Sequence, residues 1–128
     1  MGRTIGQIES DISDAIVKFE KDYMGRGPEE TKTYIFGDMI IVRLKGVLTP
    51  AETQLAKTTE SSEGRMLIKR VRIELLENAK PLLQEIIHDI TGCDVRSLHT
   101  DISTVTGERV IIFTMDSDVI GQGEPSAK

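Results

Sequence analysis

SEGRMLIKRVRIELLENAKPLLQEIIHDITG, residues 62–92, is the longest periodic stretch in the chain. Ile68, Val71, Leu75, Ala79, Leu82, Ile86 and Ile90 recur at spacings of 3 and 4, one face of an α-helix. Leu76, Leu83 and Ile87 lie beside that stripe and widen it. A stripe so broad predicts a helix lying on a sheet or within a bundle, not a coiled-coil seam. Lys69, Arg70, Glu74, Glu77, Gln84, Glu85, His88 and Asp89 supply a solvated face, and Gly92 a C-terminal stop. Pro81 removes a backbone donor and crowds the carbonyl of Glu77, so a kink or a break is expected there. The stripe keeps its phase through Pro81, which favours one kinked helix.

Two arginines interrupt this logic. Arg65 and Arg72 fall on the same helical wedge as Leu76, Ala79, Leu83 and Ile90. A guanidinium pointing to the packed side needs an anionic partner or a route to water. One reading is an ion pair with an Asp or Glu of another element, or a stem lying along the core edge. The other is a site for a small anion or a carboxylate.

Working outward toward the N-terminus, residues 3–24 carry Ile5, Ile8, Ile12, Ile16, Phe19 and Tyr23 at helical spacing. Gly25-Arg26-Gly27-Pro28 follows. These glycines come after a helix C-terminus rather than before an N-terminus, so they read as a cap and turn and not as a phosphate cradle. Arg26 stays a ligand candidate. Residues 30–36 and 39–47 read as strands joined by a two-residue turn at Gly37-Asp38. Thr49-Pro50-Ala51-Glu52 has the pattern of a capping box opening a short helix that runs to about Thr58. Residues 59–64 form a polar connection, expected to be mobile, in which a Ser or Thr caps the long helix.

Toward the C-terminus, residues 94–103 alternate with Arg96, Leu98, Thr100 and Ile102 on one face and Val95, Ser97, His99 and Asp101 on the other. Residues 109–116 are apolar on both faces and read as a central strand. The expected architecture is α+β: a four-stranded, mostly antiparallel sheet of two hairpins with helices on one face, in the order α-ββ-αα-ββ. Residues 1–116 form the single domain and 117–128 a disordered C-terminal tail. With helices on one face only, the apolar second face needs cover from a homodimer or a partner protein.

Composition narrows the function. The chain has 128 residues and a net charge of −5, which argues against nucleic-acid binding. No apolar run approaches membrane-spanning length, and the N-terminus has neither an h-region nor the Ser or Thr that myristoylation of Gly2 requires. Cys93 is the single cysteine, which excludes an intrachain disulfide and fits a reducing, cytoplasmic location. It follows a helix C-terminus, the wrong end to favour a thiolate. His99 and Asp101 share a strand face but make half a metal site at most. With no enzyme signature, no metal and no cofactor indicated, a non-catalytic role is expected.

Residues 46–52 (GVLTPAE), the upstream Gly25-Arg26-Gly27-Pro28, Arg72, and the later Thr91-Gly92 and Ile112-Phe113 together resemble the MpsC-like domain family over about residues 5–116. That family is named for a sodium-translocating system that generates membrane potential. The resemblance implies a soluble accessory to membrane transport or energy-coupling subunits, in systems tied to ion translocation and bicarbonate uptake, and brings no catalytic residue with it. Two expectations follow. The first is a cytoplasmic accessory or interaction module, homodimeric and not membrane-spanning, serving such a system. The second is a small-anion sensor for bicarbonate, phosphate or a carboxylate, built on Arg72 with Arg65 and Arg26.

Overall fold

The computed structural model describes residues 4–58 and 63–120. In chain order the elements are α1 (Ile5–Met24), β1 (Glu30–Phe36), β2 (Met39–Lys45), α2 (Pro50–Thr58), α3 (Glu63–Thr91), β3 (Val95–Ile102) and β4 (Arg109–Met115). The sheet is antiparallel throughout, in the order β1-β2-β4-β3. The two hairpins therefore meet along β2 and β4, the two strands that the sequence makes apolar on both sides. The expected α+β order holds. The expected mobile connection and its capping Ser or Thr fall largely on residues 59–62, outside the described residues.

Each element starts and stops for a local reason. Thr4 caps α1 in a reciprocal box with Gln7, and Gly25 ends the helix in the left-handed conformation, at φ 84°. Phe36 pairs with Met39 across the Gly37-Asp38 turn. Gly46, at φ 69°, ends β2 two residues earlier than expected; a side chain there would be strained and would also strike Glu29. The helix α3 runs unbroken through Pro81, which faces solvent, so no buried group loses a partner to it.

One face of the sheet carries the core. Ile35, Ile40, Val42, Leu44, Ile111, Phe113 and Met115 point to it, and α1 and α3 lie over it with Ile12, Ile16, Leu76, Leu83 and Ile87. Each such large side chain contributes about 1.5–3 kcal/mol when fully buried. Three details differ from the sequence reading. The buried line of α3 is Gly64, Ile68, Arg72, Leu76, Ala79, Leu83 and Ile87, while Val71 is 45% exposed. An arginine occupies one position of the buried row, so a reading by hydrophobicity slides to the neighbouring row. A bulge between Val95 and Ser97 turns Val95 toward the core and leaves Arg96 in solvent, so the simple alternation fails at the start of β3. Finally, Val119 is buried and its N–H bonds to the Gly37 carbonyl at 3.0 Å. The packed domain thus runs past the expected end at 116 to Ile120, and residues 121–128 lie outside the described residues.

Candidate functional site

The segment between β2 and α2, residues 46–52, is gripped from four directions. Its Gly46 carbonyl accepts from Arg26 Nε at 3.2 Å, and the Val47 N–H bonds to the Gly107 carbonyl at 3.1 Å. The Val47 carbonyl accepts from Arg72 Nη2 at 2.9 Å. Glu52 completes the fourth hold. Its Oε1 accepts from the Thr49 N–H at 2.9 Å while Thr49 Oγ1 accepts from the Glu52 N–H at 3.2 Å, the expected capping box. The same carboxylate takes Arg72 in a two-pronged grip, Nη2 to Oε1 at 2.6 Å and Nε to Oε2 at 3.0 Å. One side chain thus caps α2 and anchors it to α3.

Behind Arg72 lies a second carboxylate. Glu20 of α1 is fully buried, with Oε1 3.6 Å from Arg72 Nη1 and Oε2 accepting from Arg109 Nη1 at 3.2 Å. Arg109 Nε reaches Thr100 Oγ1 at 3.2 Å. Arg72 and Arg109 are 2% and 1% exposed and Glu20 is fully buried, so two guanidiniums and two carboxylates form a network of no net charge that reaches solvent only at the 21% exposed side chain of Glu52. Glu20 Oε1 and Arg72 Nη1 lack hydrogen-bond partners but face one another. Burial pushes the Glu20 carboxyl upward, with Arg109 and then Arg72 pulling against it. Burial likewise pulls Arg109 down, against Glu20. At Glu52 burial acts to raise the carboxyl, but the bonds from Arg72 and from the Thr49 N–H outweigh it and hold the group below the usual range.

The sign for stability follows from the Glu52 shift. A carboxyl depressed on folding contributes stability above its unfolded value, near 4.5, and loses it as pH falls through the folded value. Glu20, raised on folding, works the other way. Below pH 4.5 the wild type is therefore expected to lose stability more steeply than Glu52→Gln, as measured by urea unfolding across pH. Equal acid slopes in the two proteins would contradict the Glu52 assignment.

The three arginines named from sequence are not brought together. Arg72 is sealed inside the network. Arg65 and Arg26 instead line one groove of about 610 Å³ at the end of the sheet, with Lys57 of α2 and Glu29. Arg26 is partly committed, since its Nη2 also meets Glu29 Oε2 at 3.3 Å. His99 bonds to Ser97 Oγ at 3.2 Å, and Asp101 turns to Lys69 at 3.4 Å, so their shared strand face does not make them a pair. Cys93 is buried. Among the described residues no three His, Cys, Asp or Glu side chains cluster to hold a metal. Sequence reasoning passed over Glu20 and Arg109. The signal for Glu20 was its place four residues after Ile16, on the buried face of α1; for Arg109 it was the inward register it shares with Ile111 and Phe113.

Among the described residues no helix lies over the other face of the sheet. Across the strands its rows read Phe36–Met39–Thr114–Ser97, Tyr34–Ile41–Ile112–His99 and Lys32–Arg43–Val110–Asp101. Phe36 is 60% exposed, and Tyr34, Met39, Ile41, Val110 and Ile112 are half-buried. No helix among the described residues is long and apolar enough to cross a membrane.

Residues 4–117 match the family model described as the Na+-translocating membrane potential-generating system (MpsC). Two proteins of Bacillus subtilis (strain 168) are similar to the chain. One, described as uncharacterized protein YbcI, is 50% identical over 119 residues, covering 93% of this chain and 94% of that protein. The other, uncharacterized protein YrhF, is 27% identical over 115 residues, covering 89% and 92%. No solved structure matches.

Proposed function

This chain belongs to the MpsC family, and we propose that it is a non-catalytic accessory module of a membrane ion-translocating system, working as a homodimer in the cytoplasm. The observation that carries this reading is the open apolar face of the sheet. The family description supports the link to a membrane system, and a domain with no spanning helix among its described residues would join one by docking.

A second copy of the chain is the occupant that this face suits. Its centre is apolar, with Lys32 on the β1 edge and Asp101, held by Lys69 yet exposed, on the β3 edge, while Arg43 is paired with Glu108. A two-fold axis parallel to the strands would lay β1 over β3 of the partner. Ile41 then meets Ile112 of the partner subunit, and Lys32 meets the partner's Asp101. An isologous interface of this kind repeats every favourable pair twice, and stacked sheets align within about 30°. Edge-to-edge pairing is a poorer solution on the β1 side, because the Ile35 N–H there is already taken by Glu9 Oε2 at 3.1 Å.

Sedimentation equilibrium of the full chain tests the reading. A dimer over the micromolar range is expected, and a strict monomer at every concentration would rule it out. The anion-sensing reading built on Arg72 finds less support, because protein groups already occupy the guanidinium.

A further inference from the structure

We infer that the groove at the end of the sheet, between the α1–β1 turn, α2, the start of α3 and the β3–β4 turn, is a binding site for a small organic dianion. The shared chemistry is a doubly charged oxyanion, a phosphomonoester or a dicarboxylate, carried on an apolar body. The site is distinct from the open sheet face and does not depend on the dimer.

Charge is the first observation. The chain has 21 acidic and 16 basic residues, yet the groove collects Arg26, Lys57 and Arg65 against one carboxylate, Glu29. Glu29 is already engaged by Arg26. Arg65 and Lys57 have no carboxylate partner among the described residues, although the chain as a whole is acidic. The described lining residues carry three cations against one carboxylate, a balance that suits a dianion, and such a ligand would bind with charge-assisted hydrogen bonds.

Size and lining give the second. About 610 Å³ is far more than an inorganic ion needs and falls within the usual range for small-molecule sites. Leu48 and the exposed Val105 give the groove apolar lining as well, and Thr53 adds a hydroxyl. A bare anion would leave that lining exposed, whereas an organic anion covers it.

The third is rigidity. The groove is built against the clamped segment 46–52, whose carbonyls, capping box and backbone are held by Arg26, Arg72 and Gly107. The buried network thereby presents the groove in one shape, which lowers the ordering cost of binding.

Amide chemical-shift titration of the full-length, isotopically labelled chain tests this. The probes are phenyl phosphate, phenylsuccinate and inorganic phosphate, each against sodium chloride at matched ionic strength. Saturable shifts at Gly46, Thr53 and Gly107 are expected for at least one organic dianion, tighter than for inorganic phosphate. Arg65→Gln and Lys57→Gln should each weaken binding about tenfold, while Arg43→Gln, on the open sheet face, should leave it unchanged. Saturation by phenyl phosphate alone or by phenylsuccinate alone would name the anion class. Co-sedimentation with phosphatidic acid vesicles, compared with phosphatidylcholine vesicles, separates a lipid headgroup from a soluble phosphomonoester. Shifts that match chloride, or that survive both groove substitutions, would overturn the proposal.

Discussion

Arg72→Ala is expected to cost the fold about 3–5 kcal/mol, the usual range when one member of a buried ion pair is removed. The loss has three parts. Glu52 loses both prongs of its grip, the Val47 carbonyl loses its donor, and Glu20, fully buried, keeps Arg109 alone. Small domains are stable by about 5–15 kcal/mol in all, so the variant should sit near the edge of folding. Arg72→Lys should fall between, since an ammonium keeps the charge but cannot take the carboxylate with two parallel bonds. The double variant Arg72→Met with Glu52→Gln should be less damaged than Arg72→Ala, because it leaves one fewer buried charge without a partner. Urea unfolding of the set provides the check. Wild-type stability in Arg72→Ala would mean that the network is not what joins α1, α2 and α3.

Ile112→Asp is expected to leave the monomer folded and to break the dimer. Ile112 sits in the middle of the open face, with Ile41 and His99 beside it, so an aspartate there remains hydrated in the isolated chain. In the dimer it would be buried, and by symmetry it would be buried twice. An unpaired polar group costs about 1–3 kcal/mol in protein interiors, which for two copies weakens association by about thirtyfold or more. Light scattering on the eluting protein should report the monomer mass, with far-ultraviolet circular dichroism unchanged. An unaltered dimer would place the interface elsewhere on the molecule.

Much of this was legible in the sequence because short-range rules govern it. The capping box at Thr49 and Glu52, the Gly37-Asp38 turn and the glycine caps are local decisions, and the structure keeps them. The need for a partner at Arg72 was equally plain, since a guanidinium on the packed wedge has to be matched. Which carboxylate matches it was not, because Glu20 and Glu52 reach it across about 50 and 20 residues of chain. Only the packing of α1 and α2 on α3 brings them there. Arg65 shared the wedge with Arg72 yet opens onto the groove, because it lies near the start of α3, where the core thins. The bulge at Val95 and Ser97 was invisible for a related reason. A one-residue slip carries no signature in alternation until the partner strand β4 sets the register. Val119 was read as tail because its neighbours are small and polar, yet it reaches the core, with Ile120 packed beside it and its N–H bonded to Gly37.

The same locality explains the segment 46–52. Gly46, Val47, Thr49 and Glu52 each have a structural duty, at the end of β2, at the cap of α2 or around Arg72. The segment's service to function is then indirect: it fixes the wall of the groove and the spacing of α2 from the sheet.

The most direct test of the central claim, that the open sheet face is closed by a second copy of the chain, is zero-length carbodiimide cross-linking followed by peptide mapping. The reagent joins a lysine only to a carboxylate in contact with it. Within one chain Lys32 and Asp101 lie on opposite edges of four strands, about 14 Å apart at three strand spacings, so they cannot be joined. A Lys32–Asp101 cross-link recovered from a dimer band is the predicted result. Cross-links confined to pairs within one chain, such as Lys69–Asp101, with no dimer band, would contradict it.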